Sequence, residues 1–267
     1  MNQKIREAGH ALLRAALPPG RVELVGRTYR VAYESRRNTA ERDYEALREL
    51  ARGARCVFDV GANKGLTSLL MASVMGEGGE VVAFEASEAS CAVVRENARL
   101  NGLEGRIRIV NAVVAERSGI MIDFFAEGTS AGSSIIEGYL GHRTGLARVT
   151  LAIDDYVAQT GKVPQLLKVD VEGAERRVIE GMRETLRRHG PAVQLELHTL
   201  PDRTLSENAA DILPLLDEAG YRMVYLRTRE DIRDVAVLGA RGRCHVLLLP
   251  AGVPFPASLA PVDTTPL

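Results

Sequence analysis

The stretch that most constrains this chain is Cys56-Val57-Phe58-Asp59-Val60-Gly61-Ala62-Asn63-Lys64-Gly65, with Phe84-Glu85 downstream. Val57 to Val60 is a short apolar run that ends in a glycine turn. Leu66, Leu69, Leu70, Ala72 and Ser73 follow at helical spacing, so the stretch reads as strand, tight turn, helix. Glycine permits positive φ and lets a ligand approach bare backbone, and the opening helix turns its unpaired N–H groups the same way. The turn therefore suits a nucleotide-type ligand. Its spacing, Gly-x-Asn-x-Gly, is not the Gly-x-Gly-x-x-Gly run of a dinucleotide fold.

Glu80-Val81-Val82-Ala83-Phe84 reads as the next parallel strand and delivers Glu85 to the same sheet edge. A carboxylate there can accept hydrogen bonds from both hydroxyls of a ribose. A third run, Ile107 to Val110, brings Asn111 to that edge as well.

Length and charge limit the alternatives. With 267 residues the chain is long enough for one sizeable α/β domain with additions. Its 34 Lys plus Arg nearly cancel 35 Asp plus Glu, so net charge points to no polyanion and nucleic acid is not an expected partner. Cys56, Cys91 and Cys244 are widely spaced in apolar or helical settings, as reduced buried thiols are. No window approaches the ~18 apolar residues of a membrane span, and the expected location is cytoplasmic.

The flanking regions read as follows. Residues 1–52 form an extension: a helix from Ile5 to Leu17 with Leu12 and Leu17 on its apolar face, a hairpin turning at Gly26-Arg27, and a helix from Ala40 to Arg52. The extension carries 11 basic and 7 acidic residues, and Tyr33, Arg36 and Arg37 make it a candidate acceptor side. Residues 53–250 form the main domain and 251–267 a tail. Within the main domain, Ala89 to Leu100 is a helix stopped at Asn101-Gly102. An insertion at 120–153 departs from strand-helix alternation: Ile120 to Phe125 and Ala147 to Ile153 read as strands around a Gly- and Ser-rich segment with Tyr139 and His142, a lid or acceptor-binding loop. Asp154 is expected to cap the helix it opens.

Two later strands carry charges where a central parallel strand is normally apolar. In Leu166 to Gly173, period two puts Lys168, Asp170 and Glu172 on one side. In Pro191 to His198 it does the same for Gln194, Glu196 and His198. Three buried charges must pair or lie in a polar cleft. A helix continues from Ala174 to His189, another ends at Ala219, and Tyr221 to Leu226 and Cys244 to Leu249 are the last strands. Seven strands with helices between the early ones give a doubly wound α/β sheet, which binds ligands at the carboxyl ends of its strands.

The motifs Phe58-Asp59-Val60-Gly61-Ala62-Asn63-Lys64-Gly65, Phe84-Glu85, Leu167-Lys168-Val169-Asp170-Val171-Glu172-Gly173-Ala174-Glu175 and Leu195-Glu196-Leu197-His198 together resemble the FkbM-type S-adenosylmethionine-dependent methyltransferases. That resemblance implies a class I methyltransferase (Rossmann-like) fold with strand order 3-2-1-4-5-7-6 and the last strand antiparallel. It also implies S-adenosylmethionine as cofactor, with Asp59, Gly61 and Asn63 at its methionine end, Glu85 by the ribose, Asn111 at the adenine edge, and Gly65, Ser87 and Asp170 among the other cofactor-binding residues. Ala86-Ser87 replaces the proline that usually follows the acid. Members of this family mostly methylate hydroxyls of sugars, polyketides, lipids and other metabolites, which implies a role in natural product biosynthesis.

Such a reaction needs the acceptor held in line with the methyl, and a base helps. His198 is one candidate, with Glu172 or Glu196 as the base in its stead or as its orienting partner and Asp170 beside them. A metal is not required by this reading, although Asp170, Glu196 and His198 have the ligand types of a hard divalent cation. A nicotinamide oxidoreductase and a non-catalytic cofactor-binding partner protein are the alternatives.

Overall fold

The computed structural model describes Gly9, Leu12, Leu13 and residues 16–36, 43–125, 134–136, 145–200, 202–238 and 243–259. A hairpin of β1 (Gly20–Leu24) and β2 (Arg27–Val31) and a helix α1 (Tyr44–Ala51) precede β3 (Cys56–Val60), α2 (Leu66–Ala72), β4 (Glu80–Phe84), α3 (Glu88–Leu100) and β5 (Ile107–Val110). Then come β6 (Val113–Val114), β7 (Met121–Phe125), β8 (Gly145–Leu151), α4 (Ile153–Thr160) and β9 (Leu166–Val169). The helices α5 (Glu175–Glu180) and α6 (Arg183–His189), β10 (Ala192–His198), α7 (Leu205–Ala219), β11 (Tyr221–Tyr225) and β12 (Arg243–Pro250) complete the chain. Among the described residues no helix is long and apolar enough to cross a membrane.

Seven strands build one sheet in the order β5-β4-β3-β9-β10-β12-β11. Counted within the sheet alone this is 3-2-1-4-5-7-6. The first five run parallel, and β12 is antiparallel to both neighbours. The remaining strands lie outside it: β1 and β2 pair with each other, and β6, β8 and β7 form a three-stranded side sheet.

The central strands carry buried apolar residues on both faces because both are covered. Phe58, Val60, Leu167 and Val169 join one core with Val178 and Met182, while Val57, Val81 and Leu166 join another with Leu69 and Leu70. Phe58, Phe84 and Tyr156 meet edge to face at 5.0–5.6 Å, each pair adding about 1 kcal/mol beyond its buried area.

The extension is tied to α3 by two asparagines. Asn97, fully buried, donates to Ser35 Oγ at 3.0 Å and to Lys64 O at 2.7 Å, and accepts from Ala32 N at 2.7 Å. Asn101 bonds both backbone polar groups of Arg30.

Several sequence expectations need correction. The hairpin turns at Val25-Gly26, both at positive φ, one residue earlier than Gly26-Arg27. Leu12 and Leu17 are exposed, and most of the helix expected from Ile5 to Leu17 lies outside the described residues. The helix expected over 174–189 is two, α5 and α6, because the chain passes Ala115 at Gly181: a Cβ there would stand 2.2 Å from the Ala115 carbonyl oxygen. Asp154 does not cap its own helix, whose N-cap is Ala152. Its carboxylate instead accepts from Glu184 N, Thr185 N and Thr185 Oγ1 at 3.0, 2.7 and 2.6 Å, satisfying the open N–H groups of α6.

Replacing Asp154 by Ala is therefore expected to lower stability by about 1–2 kcal/mol. That is a fall of about 2–8 °C in Tm for a domain of this size, measured by differential scanning calorimetry.

Candidate active site

The order of the sheet reverses between β3 and β9, which opens a crevice at their carboxyl ends. The turn after β3 and the turn after β9 meet there so closely that only glycine fits. Gly61 has φ +78°, and a Cβ on it would lie 1.8 Å from the Asp170 carbonyl oxygen. Lys168 ties the two turns together, its Nζ standing 3.1 Å from Asp170 Oδ2, 3.3 Å from Gly61 O and 3.8 Å from Asp59 Oδ1. Burial works against its charge, but Asp170 and Asp59 outweigh that and raise its pKa.

Glu85 is brought to the same crevice by β4. Its Oε2 accepts from Asn63 N and its Oε1 from Ser87 N, each at 2.7 Å. Burial raises its pKa to about 7 even though these N–H groups favour the charged form.

Four residues expected at the cofactor line neither of the two clefts described below. Asp59 is fully buried and accepts from Thr67 Oγ1 at 2.8 Å and Ser68 Oγ at 2.5 Å, holding the first turn of α2. Gly65, at φ +74°, begins α2 and leaves room for Val94. The Ser87 hydroxyl caps α3, accepting from Ser90 N. Asn111 donates to the carbonyls of Glu85 and Ala86 at 2.8 and 3.1 Å. These four shape the loops from behind.

The charges of β9 and β10 do converge. His198 Nδ1 meets Glu175 Oε1 at 2.8 Å, while Nε2 faces Glu196, Glu172 and Asp170 at 3.4, 3.5 and 3.7 Å. Burial alone would lower the pKa of the ring, but the carboxylates of Glu175 and Glu196 and the charge of Asp170 raise it to about 11.

Two clefts open at this edge. One, of about 650 Å³, runs past Glu85, Ala86, Val113, Phe124 and Ile135. The other, of about 850 Å³, is walled by Tyr44, Lys64, Lys168, Gln194, Glu196 and His245. Gly61, Asn63, Asp170 and Glu172 line both. Asn63 and Glu172 stand at φ 49° and 50°, left-handed conformations that are costly outside glycine and cluster at functional sites.

Some participants escaped the sequence reading. Glu175, fully buried, has no expected role beyond closing the motif Leu167 to Glu175, yet it holds His198 and is itself held by Gly173 N and Asn208 Nδ2. His245 reaches Glu196 from β12, and Asp43 reaches His245 from the extension: His245 Nε2 lies 3.3 Å from Asp43 Oδ2 and 3.6 Å from Glu196 Oε2. An acid in a first helical turn beside a charged strand end was the available signal for Glu175. For Asp43 and His245 only the sheet order brings them near. Arg37, Tyr139 and His142 lie outside the described residues. Tyr33 and Arg36 line neither cleft.

A family model described as the methyltransferase FkbM domain matches residues 59–223, more than half of the chain. Among solved structures, cofactor-bound Rv0187 from MTB aligns with a TM-score of 0.52 at 16% identity, over 93% of this chain and 89% of that one. An O-methyltransferase from Bacillus cereus in complex with SAH aligns with a TM-score of 0.50 at 15% identity, over 79% and 81%. A methyltransferase FkbM from Methylobacillus flagellatus KT gives 0.48 at 16% identity, over 74% of this chain and 44% of that one, so this chain spans less than half of that relative's length. A search of curated proteins gave no match. Identities this low carry the fold alone.

Because Lys168 stands between two carboxylates with little solvent, its replacement by Met leaves both without its charge. Stability is expected to fall by about 3 kcal/mol, seen as a lower urea midpoint at an unchanged m-value.

Proposed function

This chain belongs to the FkbM methyltransferase family, and from that premise we propose that it transfers the methyl group of S-adenosylmethionine to a hydroxyl of a small molecule. The observation that carries the proposal is the meeting of the two clefts at Gly61, Asn63, Asp170 and Glu172. A methyl donor in one cleft and an acceptor in the other face each other there.

The residues of the first cleft suit the cofactor. Ala86, Val113, Phe124 and Ile135 form an apolar slot for an adenine, with Asn111 and Ser87 holding the loop that shapes it. Glu85 stands where a ribose needs a double acceptor. Gly61 leaves bare backbone beside Asn63 and Asp170 for the methionine end, over the support that Asp59 and Gly65 give to α2. When bound, the cofactor supplies an electrophilic methyl on a sulfonium.

The rest is positioning. The second cleft holds the acceptor oxygen in line and excludes water. Glu172, present in both clefts, takes the hydroxyl proton, and Asp170 and Glu196 orient the acceptor from the walls of the second.

The direct test is titration calorimetry of the purified protein with S-adenosylmethionine and with its demethylated product. Micromolar binding of both is expected, and binding of NAD instead would overturn the proposal. Glu85→Gln is expected to weaken binding about 10- to 100-fold, the loss of charge-assisted bonds to the ribose.

The pH dependence has a defined sign. Because the Glu85 pKa is raised in the folded protein to about 7, its contribution to stability is present below the usual carboxylate range and is lost as pH rises through 7. Cofactor affinity should move the other way, rising between pH 6 and 8 as the carboxylate ionises. This pH dependence should vanish in Glu85→Gln.

A further inference from the structure

His198 poses a problem that its neighbours do not solve. Glu175, fully buried and fixed by Gly173 N at 2.8 Å and Asn208 Nδ2 at 2.9 Å, stands 2.8 Å from Nδ1 as the acceptor of its N–H. This leaves Nε2 pointing into a ring of oxygens: Glu196 Oε1 at 3.4 Å, Glu172 Oε2 at 3.5 Å and Asp170 Oδ1 at 3.7 Å. A neutral imidazole would there set a lone pair against carboxylates, acceptor against acceptor. A proton on Nε2 would serve one oxygen at a time, and a charge-assisted N–H···O bond closes to about 2.7–2.9 Å, shorter than any of the three.

The separations are instead those of ligands around one ion. With metal bonds of about 2.1 Å, neighbouring ligand atoms stand about 3.0 Å apart in an octahedron and about 3.4 Å in a tetrahedron, and opposite ones about 4.2 Å. The ligand atoms of Asp170, Glu196 and His198 all lie within 4.8 Å of one another.

A second observation points the same way. Gln194, two residues before Glu196 on the same face of β10, is only 4% exposed and lines the chamber with Glu196 and Asp170. Its Oε1 meets no hydrogen-bond donor. A buried carbonyl without a donor is rare, and a water carried by a cation would supply one. The Nδ1 bond to Glu175 is also the outer contact that orients a metal-binding histidine and makes it a better ligand.

We propose that Asp170, Glu196 and His198 bind one divalent cation of the hard class, Mg²⁺ or Mn²⁺, beside the second cleft, whose wall Asp170 and Glu196 share, with Glu175 as the positioning residue for His198. The two carboxylates favour that class, and no thiolate stands among the three ligands to draw a softer metal. Its role in the reaction rests on the methyl-transfer reading, but its binding does not. In that role the cation coordinates the acceptor hydroxyl and acidifies it. The hydroxyl proton passes to Glu172 and then to water. The oxygen lone pair forms the new C–O bond while the C–S bond breaks, its electron pair returning to sulfur, so that a neutral thioether leaves.

The test uses the full chain, stripped with chelator, in the absence of cofactor and acceptor. Titration with Mn²⁺, followed by electron paramagnetic resonance of the free ion, is expected to show one saturable site per chain that Mg²⁺ competes for. Glu196→Gln and His198→Ala should each weaken it at least 100-fold, and Glu175→Gln about 10- to 100-fold, with circular dichroism confirming the fold of each variant. If His198→Ala does not fold, Glu196→Gln carries the test alone. No saturable site, or a site unchanged in Glu196→Gln, would overturn the proposal. Binding of the demethylated cofactor product, titrated in parallel without metal, separates the two claims: its absence beside intact Mn²⁺ binding would sink the methyltransferase reading and leave the cation site standing.

Discussion

The structure depends on the contact between Gly61 and the Asp170 carbonyl. Two parallel strands that lie side by side, β3 and β9, send their chains away in opposite directions, and the turns leaving them come closer than any side chain permits. Lys168 closes the contact electrostatically, shared among the carbonyl of one turn and an acid from each strand. Everything that follows at the sheet edge inherits its position from this pair of turns. Glu85 is held by an N–H of the first, and Glu172 and Glu175 are displayed by the second.

Much of this edge was legible because period two is a strong constraint. It put Lys168 and Asp170 on one side at the end of β9 and Gln194, Glu196 and His198 on one side of β10, and Asp170, Glu196 and His198 do meet in space, while Lys168 turns back to pair with Asp170 and Glu172, beyond the end of β9 at φ 50°, joins His198 from the turn. The same rule, applied to β3, separates Asp59 from Phe58 and Val60 and places it with Val57, towards α2. It therefore supports the loop from beneath. Ser87 and Asn111 were in the right loops, but hydrogen bonds to neighbouring backbone claimed their side chains.

What remained hidden was nonlocal. Asp154 satisfies the start of α6, a helix distant in sequence, and no rule about a residue and its own helix finds such a partner. The break at Gly181 was masked because Val178, Ile179, Met182 and Leu186 keep a continuous helical period across it. Its cause is the approach of Ala115 from another layer. Asp43, Asn97 and His245 belong to the site's surroundings through the docking of the extension and the insertion of β12 beside β10.

The pairing of β3 with β9 also has a consequence for how the chain is made. Lys168 reaches the Gly61 carbonyl across 107 residues of sequence, with three helices, the side sheet and its insertion all between them. A ribosome releases the N-terminal half first, so β3, β4 and β5 can zip together while the wall opposite them does not yet exist. Loop closure over such a span is slow compared with local pairing. The ligand crevice is thus among the last features to form during synthesis, and until β9 arrives the growing chain carries an unpaired edge along β3, a strand with four apolar residues of five.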